Sequence, residues 1–293
     1  MRIVIDMQGA QAGSRQRGIG RYTLSLAQAI ARNRGQHEVV LALNGTFSES
    51  IEPIRAGFDD LLPQENIRVW HAPGPVCQQH AGNDWRRRSA EAVREAFLAS
   101  LKPDFILVSS LFEGLSDDVV TSVGTLRREV PTAVILYDLI PLIQRKPYLE
   151  NPVVESWYEG KLGHLRRADL LLAISESSRQ EGIRHLGFPE EACFNISAAA
   201  DPQFRPVHVE PAQQQEIRRR YGLKRPFVMY TGGIDHRKNI EGLITAYARL
   251  PKPVRAGHQL AIVCSVQQAS RSALESHARK AGLGEDELVL TGF

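Results

Sequence analysis

Ala133-Val134-Ile135-Leu136 runs directly into Tyr137-Asp138-Leu139-Ile140-Pro141. Its four apolar residues are continuous rather than alternating, the pattern of a strand covered on both faces in a parallel sheet. The same texture recurs on either side, at Ile3-Val4-Ile5, Val39 to Leu43, Ile67 to Trp70, Phe105 to Val108 and Leu170 to Ile174. Stretches of helical periodicity separate most of these runs. Residues 22–32 place Leu24, Ala27 and Ile30 on one side, and residues 86–101 do the same with Ala90, Val93, Phe97 and Leu101, leaving charges to the other face. The strand-then-helix rhythm predicts an α/β fold built on a doubly wound parallel sheet.

Near residue 200 the texture changes: Asp201-Pro202-Gln203-Phe204-Arg205-Pro206 carries two prolines ahead of a polar, helix-prone stretch at 213–221. This composition divides the chain into domains at 1–206 and 207–293. The rhythm then restarts with a buried strand at Phe227-Val228-Met229-Tyr230, helices at 239–250 and 269–281, and strands at 260–264 and 288–290. Three strands are half of a nucleotide-binding α/β domain, so the second domain reads as incomplete. The chain is expected to be a fragment of a longer polypeptide, or to exchange structure with a partner.

The 293 residues are 43% hydrophobic, 24% charged and 7% aromatic, which excludes disordered, collagen-like and coiled-coil classes. A net charge of +3 gives no case for nucleic acid, and Trp85-Arg86-Arg87-Arg88 is one basic cluster without interleaved aromatics. No apolar run approaches the roughly 18 residues of a spanning helix and the N-terminus is not a signal peptide, so a cytoplasmic location is expected. Cys77, Cys193 and Cys264 are too few and too scattered for a disulfide framework and read as small buried apolar residues. The nine histidines show no paired ligand spacing, so no metal is expected.

In open α/β sheets ligands bind beyond the carboxyl ends of strands. After the first strand, Gly9 to Gly13 and then Arg17-Gly18-Ile19-Gly20-Arg21-Tyr22 open a helix, where backbone N–H groups, the helix N-terminus and two arginines suit an anion. A surface loop turned by glycines fits equally well. Asp138 stands at another strand end, able to accept substrate hydroxyls or to cap a turn. Ser175-Glu176-Ser177-Ser178 reads first as a helix cap. Tyr230-Thr231-Gly232-Gly233-Ile234-Asp235-His236-Arg237-Lys238-Asn239 is the most informative segment, since paired glycines followed by adjacent cations at a helix start outline a diphosphate site.

Arg17 to Thr23, Leu136 to Leu142, Ala168 to Arg179 and Tyr230 to Asn239, in this order, together resemble retaining GT-B glycosyltransferases. The closest likeness is to the bacterial mannosyltransferases of glycosyltransferase family four that build cell-surface polysaccharide. The resemblance implies two Rossmann-like domains, with acceptor on the first and nucleotide-sugar donor on the second, and no metal or other cofactor. It implies mannose transfer from GDP-mannose to a lipid-linked or polysaccharide acceptor in lipopolysaccharide O-antigen synthesis. A lipid-linked acceptor would bring the chain to the inner face of the cytoplasmic membrane, although no amphipathic anchor is visible.

By the same resemblance Asp138, Arg237 and Lys238 carry catalysis, Gly18, Gly20, Arg21, Gly232, Gly233 and Asn239 bind the donor, and Asp201 falls in the segment between the domains. Three departures stand out. Gly233 replaces a common arginine, Tyr137 replaces a histidine that usually contacts donor sugar, and the paired-glutamate motif E-x7-E is absent. A non-catalytic nucleotide-sugar-binding scaffold subunit and a sugar-nucleotide epimerase on the same fold are the competing readings.

Overall fold

The computed structural model describes residues 1–126, 129–201 and 204–292. Two compact units, residues 1–203 and 204–293, make up the chain. Pro202 and Gln203, in the proline segment that marks the expected boundary, and Phe293 lie outside the described residues.

In the first unit, β1 (Arg2–Asp6), α1 (Gly18–Arg32), β2 (Glu38–Asn44), α2 (Ser48–Gly57), β3 (Ile67–Trp70), α3 (Asp84–Ser100), β4 (Phe105–Val108) and β5 (Thr132–Leu136) come first. The short helices α4 (Ile140–Ile143) and α5 (Arg145–Tyr148) follow, then α6 (Pro152–Leu165), β6 (Leu170–Ala173), α7 (Glu176–Leu186) and β7 (Cys193–Asn195). All seven strands are parallel, in the order β3-β2-β1-β4-β5-β6-β7. The chain winds outward to one side from β1 and to the other from β4, so the order reverses between these two strands.

The continuous apolar runs are buried on both faces, as their composition requires. Ile5, Leu41, Leu43 and Ile135 pack with Ala27 and Phe58 on one side, and Val108, Val134, Leu136 and Leu171 pack with Leu162 and Leu165 on the other. Helix ends follow local chemistry. Asn151 caps α6 by accepting from Val153 N at 2.9 Å, and Ser175 caps α7 by accepting from Ser178 N at 3.1 Å. Periodicity missed α2, which contains Pro53, and the three-residue edge strand β7. The link from β4 to β5 holds no helix among its described residues.

Helix α3 corrects one expectation. Its buried face is Ala90, Glu91, Arg94 and Leu98, whereas Val93, expected inside, is 41% exposed. Asp6, buried at the end of β1, needs a counter-charge, and Arg94 is turned inward to supply it. The three cysteines are free and buried, as their composition suggests.

The second unit contains α8 (Pro211–Tyr221), β8 (Phe227–Thr231), α9 (Ile240–Ala248), α10 (Lys252–Gly257), β9 (Gln259–Val263), α11 (Gln268–Lys280) and β10 (Leu288–Leu290). Its parallel sheet runs β10-β9-β8, with a core of Ile244, Leu260, Ile262, Leu274 and Ala278. Strand β8 is not the buried strand its apolar sequence predicts. Phe227, Val228 and Met229 are 37%, 48% and 57% exposed, because β8 is an edge strand whose single partner among the described residues is β9.

Candidate functional site

The strand order reverses between β1 and β4, and the region beyond the carboxyl ends of such a pair is the position where open α/β sheets bind ligands. A dense set of long-range bonds builds its walls. Arg94 donates through Nε to Asp6 Oδ2 at 2.8 Å and through Nη1 to the Ser122 carbonyl at 3.0 Å. Gln8 accepts from Val120 N at 3.0 Å and from Asn44 Nδ2 at 3.0 Å. Ser109 Oγ donates to the Asp6 carbonyl at 2.5 Å, tying β4 to β1. Gly9 sits where a Cβ would lie 2.6 Å from Thr23 Oγ1 and 2.9 Å from Ser110 Cβ, so a side chain is sterically barred.

The loop after β1 then enters α1, whose first turn contains no acid and whose N-cap residue, Arg17, makes no side-chain cap bond. Gly18 and Arg21 are exposed, while Gly20 is buried against the Arg15 backbone and has no room for a Cβ. An unopposed helix N-terminus flanked by arginines is suited to an anion. Tyr22 contacts Tyr137 edge-on, 5.7 Å between ring centroids, bringing the start of α1 to the end of β5. Tyr137 Oη donates to the Ser109 carbonyl at 3.2 Å, and burial pushes its phenol well above the ordinary range. Asp138 accepts from Ile140 N at 3.2 Å and so caps the turn into α4.

The loop after β4 supplies a carboxylate that the sequence reading passed over. Glu113 Oε1 accepts from Ser110 Oγ at 2.9 Å and from Ser14 Oγ at 3.3 Å, and its backbone carbonyl accepts from Trp157 Nε1 at 3.2 Å. Burial pushes its carboxyl up to about 7. Lys161 is near in electrostatic terms, but its ammonium donates to the Thr121 carbonyl and Oγ1, each at 2.7 Å. Burial lowers Lys161 to about 8 and His164 to about 4. The rule that singles out Asp138, that the residues beyond a strand end carry chemistry, would have found Glu113 had it been applied to β4.

In the second unit, β8 leads into Gly232, whose φ of +150° is one that L side chains rarely adopt. Tyr230 Oη donates to the Gly233 carbonyl at 2.9 Å. Arg237 and Lys238 lie in a single 3-10 turn capped by Asp235, which accepts from Arg237 N at 3.1 Å and pairs with Arg237 Nε at 3.2 Å. Asn239, at φ +48°, caps α9 by accepting from Gly242 N at 3.1 Å. The cations thus precede the helix instead of occupying its first turn, and residues 231–239 are all exposed. A separate cavity of about 530 Å³ lies between α3 and β4, against Leu98, Ile106 and Ser122, and none of the predicted site residues line it.

Residues 17–196 match the glycosyl transferase 4-like domain. The chain belongs to that family. Over its whole length it is 33% identical to a serotype-specific mannosyltransferase, WbdA, of Escherichia coli, and covers 35% of that relative. It is 26% identical to the O-antigen chain mannosyltransferase B of Escherichia coli, across 83% of this chain and 59% of that one. The chain therefore spans about a third of the length of WbdA. Among solved structures, Anabaena HepE in complex with UDP and glucose superposes with a TM-score of 0.59 at 16% identity, over all of this chain and 69% of that one. That likeness establishes the fold, and with the family it makes this a GT-B glycosyltransferase architecture.

Proposed function

We propose that the chain is the nucleotide-sugar and acceptor-binding portion of a retaining α-mannosyltransferase that uses GDP-mannose to extend a lipid-linked or polysaccharide acceptor in O-antigen synthesis. The observation that carries this reading is the full-length similarity to a serotype-specific mannosyltransferase. Reaction at the inner face of the cytoplasmic membrane accords with it, and no described helix is long and apolar enough to cross a membrane.

The geometry supports named roles. Lys238, exposed beyond the β8 glycine turn, meets the donor diphosphate with Gly232 and Gly233, and Arg237 joins it by exchanging its Asp235 partner. Two cations at the leaving diphosphate stabilise the charge that develops as the glycosidic bond breaks, and no metal or other cofactor is required. Asn239 fixes the start of α9 below them. In the first unit, Gly18 and Arg21 at the exposed α1 N-terminus offer a place to an anion, with Gly20 packed against the Arg15 backbone, and Asp138 offers its carboxylate to a sugar hydroxyl.

Calorimetric titration with GDP, UDP and ADP and their mannose or glucose conjugates tests the reading, with Lys238→Ala as the control. GDP and GDP-mannose are expected to bind selectively and to lose affinity in the variant. Selective binding of UDP would replace the donor, and binding of none would remove the nucleotide site from this chain.

A further inference from the structure

The crevice between β1 and β4 contains a carboxylate that the proposed donor chemistry does not use. Glu113 is held from two directions, by Ser14 in the loop after β1 and by Ser110 directly after β4, and both hydroxyls donate to the same oxygen, Oε1. Among the described residues no donor meets Oε2. The cation nearest in electrostatic terms, Lys161, is fully buried and committed to Thr121. Asp117, the next acid along the loop, accepts from Gly13 N at 3.1 Å and so holds the residue next to Ser14. The ring of Trp157 donates to the Glu113 carbonyl and lies edge-on to Phe112, with centroids 6.4 Å apart.

This arrangement selects for one ligand chemistry. Two acids at this end of the loop favour a neutral donor over phosphate, whose place in this unit is the arginine-flanked start of α1 a few residues on. Glu113 Oε2 is not one of the buried unpartnered atoms among the described residues, so water reaches it and a ligand hydroxyl can take that water's place. Sugar hydroxyls are neutral donors, and a carboxylate set beside an amphipathic indole meets both the polar edge and the apolar face of a pyranose ring. The oxygen lies at the reversal of strand order, where this class of sheet takes its ligands.

We propose that Glu113 is the carboxylate that receives a hydroxyl of the acceptor sugar, through Oε2, while Ser14 and Ser110 fix its orientation. The proposal rests on the glycosyltransferase reading and adds a positioning residue to it. Glu113 takes no covalent part in transfer. It sets which acceptor hydroxyl is presented, and its strand-end location makes it a determinant of acceptor rather than donor choice.

The test uses the whole chain and two separate probes, methyl α-mannopyranoside for the crevice and GDP for the nucleotide site, each titrated by nuclear magnetic resonance into the native chain, Glu113→Gln and Glu113→Ala. Losing a hydrogen bond to a charged group should weaken the mannoside by roughly tenfold or more in Glu113→Ala, with Glu113→Gln between the two. GDP affinity should be unchanged in both variants, a result that a glutamate serving only to hold the fold together would not give alongside mannoside loss. Mannoside affinity equal in all three proteins would overturn the proposal. So would GDP binding with no mannoside bound by the native chain, which leaves the donor reading intact. Absence of both ligands would overturn this proposal and the GDP-mannose donor reading together.

Discussion

Strands β1 and β8 each end in a glycine-bearing turn that leads toward a helix, yet the two turns are held in different ways. The turn after β1 is fastened by partners far away in sequence: Arg94 on Asp6, Val120 on Gln8, Asp117 on Gly13. The bonds described in the turn after β8 join near neighbours, Asp235 to Arg237, Tyr230 to Gly233 and Asn239 to Gly242. The first is a built wall whose shape precedes any ligand. The second has its cations exposed, so a bound anion would replace water and compete with Asp235 for Arg237 at little structural cost. A rigid crevice suits discrimination among acceptors by shape, and an open cationic turn suits capture of a diphosphate shared by many donors.

The largest expected effect separates the two walls by stability. Arg94→Leu leaves the Asp6 carboxylate buried without its partner and should cost about 3–5 kcal/mol, read as the shift in urea midpoint. The double replacement Asp6→Asn with Arg94→Met should recover most of that loss, because it removes both charges. Lys238→Ala should leave the urea midpoint where it is, since no described partner depends on it. Its effect belongs to binding, with GDP affinity falling by roughly 10- to 100-fold. If Lys238→Ala also unfolded the chain, the β8 turn would have to be a structural wall like the other.

A smaller contrast is carried by single methyl groups. At Gly9 an added Cβ meets Thr23 and Ser110, whereas at Gly233 it meets nothing within 4 Å. Gly9→Ala should therefore destabilise by about 1–3 kcal/mol, and Gly233→Ala by no more than about 0.5 kcal/mol. Equal effects by thermal melting would mean that the crevice relaxes as freely as the exposed turn.

The same contrast explains what was legible in the sequence. Strands β1, β2, β4, β5 and β6 announce themselves because burial on both faces demands apolar runs, which Arg68 interrupts in the edge strand β3, and the caps Ser175 and Asp138 are local bonds that need only their own neighbours. The β8 glycine turn was legible for the same reason, as the bonds Tyr230 to Gly233, Asp235 to Arg237 and Asn239 to Gly242 each fall within three residues. Exposure of β8 was not legible, because an apolar strand reads as buried whether or not a second neighbour lies beside it. Nor was the inward turn of Arg94, which answers a charge 88 residues away. Glu113 owes its character to Ser14, 99 residues distant, and to burial that no local pattern records.

The sharpest test is the pH dependence of Glu113. Burial raises its carboxyl from about 4.5 to about 7, against the opposing influence of Ser110, Ser14 and Lys161 and with that of Asp117. Between those two values the folded chain therefore retains a proton that the unfolded chain has released, and folding becomes less favourable as pH rises through the window. Glutamine cannot titrate, so the stability of the native chain relative to Glu113→Gln should fall from pH 4.5 to 7 and level off above. His164, lowered to about 4, drives stability the other way over part of this range. It is present in both proteins and cancels in the difference. Urea midpoints of the two proteins at pH 5 and pH 7.5 measure the effect. A flat difference would show Glu113 to be as well hydrated as a surface acid, and the crevice would then be as open to water as the β8 turn.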